Sequence, residues 1–253
     1  MRERADLPES VVEALATATE QVEGIEEELA SLDERGVRAL IWEDEDYPRR
    51  LLGTSSAPPV LWWAGPAEPN EWERAVAVVG SREATAEGIA EARRVGADLG
   101  RAGAAVVSGL AAGVDEAGHE GALEAGGGTV GVCGCGLMAA LVQGRGGLAG
   151  RVGEAGALCS ELAPTAPLTP QALFARDRII AGLADVVIVV EARAEGGAVH
   201  TAKCALKEGR PVLVTEWPAG HGAGGNRQLL GEGARGLELG GDVVGAVRGV
   251  VRG

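Results

Sequence analysis

Aromatic side chains are nearly missing: Trp, Tyr and Phe together make up 3% of the 253 residues, with one Tyr and one Phe. A core without rings has to be filled by Val, Leu, Ile and Ala, which suits parallel strands covered by Ala-rich helices and disfavours an all-β sandwich. Long apolar runs are absent as well. No stretch reaches the roughly 18 residues of a spanning helix, so no membrane partner is expected. The opening Met-Arg-Glu-Arg-Ala-Asp lacks the apolar centre of a secretory signal, and the expected location is the cytoplasm. Cysteine is limited to Cys133, Cys135, Cys159 and Cys204. The Cys-Gly-Cys spacing fits neither a zinc knuckle nor a thioredoxin-type site, and reduced, packed thiols are expected. His119, His200 and His221 show no metal-ligand spacing, so neither a metal nor a cofactor is expected.

Positive charge is also in deficit: 23 Lys and Arg stand against 37 Asp and Glu, a net charge of −14. That balance argues against general affinity for nucleic acid, because phosphate binding draws on Lys and Arg. The acidity is uneven, however. Residues 1–75 carry 18 acidic and 7 basic side chains, leaving 19 acidic and 16 basic in residues 76–253. A local cationic site in the larger part of the chain is compatible with this distribution.

What is present is rhythm. From Pro8 to Ala30, apolar residues recur every three or four positions among acids, predicting an amphipathic helix or a helical pair broken at Gly24. Gly36 ends that pattern, Val37–Trp42 reads as a short strand, and Pro48, Pro58 and Pro59 punctuate an extended connection. Residues 66–74 form the expected boundary, dividing a helical region with its connection (1–65) from a larger domain (75–253). From Ala75 onward short apolar runs alternate with helices. Strands are expected at Ala75–Val79, Ala104–Val107, Thr129–Cys133, Ala157–Ser160, Val186–Val190 and Pro211–Val214. This alternation predicts an α/β fold, a Rossmann-like doubly wound and mainly parallel sheet with a small N-terminal helical region. Ligands on such sheets bind at the carboxyl ends of the strands.

Three strand-to-helix turns fall there. Gly80-Ser81-Arg82 combines a backbone open to close approach, a hydroxyl and a forked cation. It reads equally as an anion site or as a tight turn with Arg82 paired to an acid. Ser108-Gly109, continuing to Gly113-Val114-Asp115, opens the next helix, and in adjacent parallel strands the two turns would aim their N–H groups at one cleft. The dinucleotide fingerprint is lacking, which disfavours an NAD enzyme. Gly196-Gly197 opens a third helix and is compatible with a ligand or with ordinary capping. Asp115 and His119 share a helix face, and a helix-stabilising or packed pair is favoured over a catalytic one. Phe174-Ala175-Arg176-Asp177-Arg178 joins the sole Phe to close arginines, the combination used to hold an unstacked base and its phosphate. The plainer alternative buries Phe174 and pairs Arg176 with an acid.

The ordered set resembles the DprA/Smf family. It comprises Ala77–Arg82, Val107–Asp115 with His119, Gly134–Leu137, Arg176–Leu183, Val189–Ala192, His200–Ala202, Gly209–Val212 and Gly225-Asn226, with Asp46–Leu51 upstream. The resemblance implies a non-enzymatic homodimer that binds single-stranded DNA and helps load a RecA-type recombinase during DNA uptake. By motif, Gly80, Ser81 and Arg82 would bind phosphate, Ser108, Gly109 and Gly113 would complete the pocket, and Phe174, Arg176 and Arg178 would meet a base and its backbone. The chain departs from the family pattern at Asp177, where Arg-Asn-Arg is usual, and at Gln171, where a basic residue is common. These departures predict weaker binding. Two other readings remain open: a nucleotide-binding or nucleotide-cleaving protein of the related phosphoribohydrolase group, and an interaction module that has lost the DNA site.

Overall fold

Successive residues of the strand Ala75–Val79 (β3) face opposite sides, and each side has its own helix layer. Ala77 and Val79 pack with Ile179, Ile180, Val199 and Ala202. Val76 and Val78 pack with Val95, Leu99, Val114 and Ala117. Strands buried on both faces read as continuous apolar runs, which is why β3 shows no polar alternation.

The computed structural model describes residues 24–144, 146–219 and 221–251. It divides into two compact units, 1–38 and 39–253. In the first, a helix covers 24–33, with Gly24 already helical, and the chain turns at Gly36, whose φ is +75°. The earlier part of the helix expected from Pro8 lies outside the described residues.

The described residues form a nine-stranded sheet. Its strands are β1 (Val37–Ile41), β2 (Val60–Ala64), β3, β4 (Ala105–Ser108), β5 (Thr129–Val132), β6 (Ala157–Ser160), β7 (Val186–Val189), β8 (Val212–Glu216) and β9 (Arg235–Glu238), and the helices, with 24–33 as α1, continue as α2 (Arg49–Leu52), α3 (Ala86–Arg101), α4 (Val114–Glu124), α5 (Leu137–Gln143), α6 (Leu148–Ala155), α7 (Pro170–Leu183) and α8 (Gly197–Lys207). Their spatial order is β1-β2-β6-β5-β4-β3-β7-β8-β9. From β6 to β9 every pairing is parallel, whereas β2 runs antiparallel to β6. The expected mainly parallel α/β sheet is therefore observed.

Residues 48–65 are more than a connection. Val60–Ala64 is a sheet strand, and the division between units falls at 38/39, ahead of the segment 66–74. The prolines mask this in the sequence, because Pro58 and Pro59 immediately precede the strand. Tyr47 donates to the Pro58 carbonyl at 2.6 Å, and Arg50 pairs with Asp185 at 2.9 Å, fixing this segment beside the start of β7.

After β3 the chain winds outward through β4, β5 and β6, then returns to the other side of β3 as β7. The winding direction reverses between β3 and β7, and a crevice opens at the carboxyl ends of such a pair.

Candidate functional site

A cleft of about 490 Å³ lies at that reversal. Three helices begin or pass there: α4 (Val114–Glu124), α7 (Pro170–Leu183) and α8 (Gly197–Lys207). From the turn after β3 come Gly80, Ser81, Arg82 and Glu83, and α7 contributes Phe174, Arg176 and Asp177. The loop after β7 adds Arg193, Glu195, Gly196 and Gly197. Five of the nine residues singled out in sequence thus line one cavity: Gly80, Ser81, Arg82, Phe174 and Arg176.

The other four do not line it. Ser108 is fully buried, its hydroxyl donated to the Val78 carbonyl at 2.6 Å, so it joins two strands instead of facing a ligand. Arg178 turns away, donating to the Ser56 carbonyl and pairing with Glu161. Gly109 and Gly113 act from behind the wall. A Cβ on Gly109 would collide with the Arg176 guanidinium, so this glycine is the seat on which Arg176 rests. Gly113 has φ +88°, and a Cβ there would strike the Ser81 carbonyl. A side chain would push the β3 and β4 turns apart.

The expectation that both turns aim free N–H groups into the cleft needs correcting. Gly80 N–H and Gly109 N–H donate to the two oxygens of Asp115, at 3.3 and 3.1 Å. Ser81 N–H goes to the Glu191 carbonyl at 2.6 Å, and Val114 N–H goes to the Ser81 carbonyl at 3.2 Å. Burial pushes the Asp115 carboxyl up, opposed by the Arg176 charge and by these two N–H donors. Asp115 is thus a clamp on the two turns. It makes no pair with His119, whose Nδ1 lies 2.6 Å from the Thr129 hydroxyl on β5. Since that hydroxyl donates to the Val106 carbonyl, it accepts from Nδ1–H. His119 is completely buried, and burial with the nearby Arg176 charge pushes its pKa down to about 3.

Cation placement decides what the cleft can hold. Arg176 is buried, with its Nε 3.5 Å from Asp177 and its Nη1 on the Val132 carbonyl. Arg193 is exposed but engaged by Glu83 at 2.6 Å. Arg82 is exposed and makes no ion pair or hydrogen bond among the described residues. It is the cation available to a ligand. In the same cleft Phe174 is 55% exposed, so the alternative that buried this ring fails on that point, while its pairing of Arg176 with an acid is observed at Asp177. The edge of the Phe174 ring meets the His200 ring at a centroid distance of 5.4 Å. The charge in the lining is mixed, since Glu83, Asp115, Asp177 and Glu195 accompany the three arginines.

Sequence reasoning undervalued the third turn. Gly196, which has no side chain, precedes α8, and no side chain caps that helix's N-terminus, whose first turn carries no acid. Such an end favours an anion. The signal was the Gly-Gly pair directly after a buried strand. Glu191 was also missed: it accepts from the Thr85 N–H and hydroxyl and from His221, holding the start of α3 (Ala86–Arg101). Burial raises this carboxyl, but Thr85 and His221 outweigh it and hold its pKa below the ordinary value. The Gly225-Asn226 motif is structural. The buried Asn226 amide accepts from Ala192 N–H and donates to the Val190 and Thr215 carbonyls, all at 2.9 Å, fixing the root of the loop after β7.

A family described as DNA recombination-mediator protein A matches residues 38–248. The chain belongs to this family, DprA/Smf. A DprA relative in Mycobacterium tuberculosis, described as a putative DNA processing protein, is 33% identical over 240 residues, 90% of this chain and 62% of its own length. The Streptococcus pneumoniae DprA is 35% identical over 202 residues, 79% of this chain and 71% of its own length. The chain therefore spans about three fifths of the mycobacterial relative. Among solved structures, DprA from S. pneumoniae superposes with a TM-score of 0.74 at 31% identity, covering 85% of this chain and 77% of that one. The Helicobacter pylori DNA processing protein A, whose structure concerns its own single-stranded DNA binding mode, gives a TM-score of 0.73 at 24% identity. The latter covers 85% of this chain and 96% of that one, and speaks to the DprA fold.

Proposed function

We propose that this chain binds single-stranded DNA across the cleft between β3 and β7, and acts as a non-enzymatic mediator that passes the strand to a RecA-type recombinase. One observation carries the reading: Arg82, which makes no ion pair or hydrogen bond among the described residues, lines the same crevice at the winding reversal as the exposed ring of Phe174. A cation for the backbone and a ring for an unstacked base are what sequence-tolerant binding of a single strand requires. The α8 N-terminus offers a second anion position beside Arg193. Family membership supports the recombination role, and a homodimer is proposed on the same ground.

The scarcity of free cations sets the expected strength. With Arg193 held by Glu83 and Arg176 by Asp177, few counterions are displaced per strand, so affinity is modest and its salt slope shallow. The test is titration of labelled oligo-dT at several salt concentrations. Arg82→Ala should remove most of the binding and reduce the slope of log K against log salt by about one. Unchanged binding by this variant would remove Arg82, and with it the cleft, from the interface. Nucleoside monophosphates give the contrasting outcome. Tight, saturable binding of a monophosphate without oligo-dT binding, or release of free base, would favour a small-ligand protein, since a cleft of this volume also suits one nucleotide.

A further inference from the structure

Three side chains at the cleft, among them Asp177 of its lining, form a relay. The Cys204 Sγ lies 3.9 Å from Nε2 of His200, one turn earlier on α8. The other ring nitrogen of His200 is 3.1 Å from the Asp177 carboxylate on α7. The carboxylate can only accept from Nδ1–H, so Nε2 keeps its lone pair and faces the thiol. Nucleophile, base and orienting acid are thereby in order.

The four cysteines are not equivalent. Cys133 and Cys159 are buried, whereas Cys135 and Cys204 are half-buried, and of these two it is Cys204 whose sulfur lies against a histidine. Burial pushes the Cys204 thiol up, with Asp177 and Glu208 adding to this and Lys207 and Arg178 opposing it. Exchange near neutral pH therefore needs a proton acceptor, and His200 is in reach. The same imidazole touches Phe174.

We propose that Cys204 is a thiol–disulfide exchange site, with His200 as its base and Asp177 as the residue that positions His200, and that a mixed disulfide there pushes His200 out of its contact with Phe174. In the reaction, the Cys204 proton passes to Nε2 as Sγ attacks a low-molecular-weight disulfide. The S–S bond of the reagent breaks, the Cys204 sulfur is oxidised to a mixed disulfide, and the departing thiolate takes the proton from the imidazolium. The consequence for the strand rests on the reading of the cleft given above, while the exchange chemistry does not.

The experiment uses the whole chain and the chromogenic aromatic disulfide DTNB between pH 6 and 9. One thiol should react fast. Cys204→Ser should abolish that phase, and His200→Gln should slow it by about tenfold or more and move its pH profile upward. A fast phase that survives Cys204→Ser, or a rate and profile unchanged by His200→Gln, overturns the proposal. In a second arm, oligo-dT binding is compared before and after treatment with glutathione disulfide, and again after a reducing agent. Binding should fall severalfold in the native chain, recover on reduction and stay constant in Cys204→Ser. Equal binding by the modified and unmodified chain overturns the coupling to Phe174. If the untreated chain does not bind oligo-dT at all, the strand-binding reading fails while the DTNB result still decides the exchange site.

Discussion

His119 gives the structure a defined sensitivity to acid. The ring, carried on α4, is completely buried and is held neutral by burial and by the Arg176 charge, with a pKa of about 3 against an ordinary 6.5. The unfolded chain binds this proton as pH falls through 6.5, and the folded chain does not until about pH 3. Its contribution is therefore fully present above pH 6.5 and is lost progressively on acidification toward pH 3. At about 1.4 kcal/mol per unit, the complete effect is about 5 kcal/mol, of which about 2 kcal/mol is gone by pH 5. Against a typical domain stability of about 5–15 kcal/mol, that loss is readily measured. The variant is His119→Gln, whose amide still donates to the Thr129 hydroxyl but does not titrate. Urea unfolding of both chains at pH 7 and pH 5 gives the two differences, and carboxylate contributions cancel between them. The native chain should lose about 2 kcal/mol more than the variant over this interval. Parallel pH dependences would show that the ring is protonated or solvated in the folded state, and would refute the reasoning.

Two further outcomes follow from the walls of the cleft. Glu83→Gln releases Arg193 and removes one acid from the lining, so oligo-dT binding should tighten and its salt slope steepen by about one; a titration showing weaker binding would place Arg193 outside the strand path. Gly113→Ala puts a Cβ onto the Ser81 carbonyl at a left-handed backbone position and should destabilise by about 1–3 kcal/mol, read as a lower Tm, whereas an unchanged Tm would mean the two turns are free to separate.

The layered sheet was legible because its signal is local: Ala75–Val79 and Ala157–Ser160 are apolar runs whose bounds coincide with β3 and β6. β2 was not, because its place in the sheet depends on antiparallel pairing with β6, a partner almost a hundred residues away in sequence. Arg82 was singled out for phosphate and Phe174, beside Arg176, for a base, but the exposure of both is a property of the folded surface. Arg176 and Arg178 look alike in sequence. Two residues of separation on a helix send one guanidinium beneath the cleft and the other toward Glu161. The donors of the first two turns were misjudged for a related reason, since an aspartate in the first turn of α4 reads as ordinary capping chemistry until its two oxygens are seen on different strands' ends.

Asp115 has a consequence for the way a ligand would arrive. One carboxylate fastens the ends of β3 and β4 together, and Asn226 and Glu191 fasten the neighbouring loop and helix. Ordering a backbone residue costs about 1–2 kcal/mol, and here that cost falls on folding instead of on association. A strand meeting this rim finds it already shaped. Encounter should then proceed in a single kinetic step whose rate follows strand concentration, without a slow rearrangement of the protein backbone.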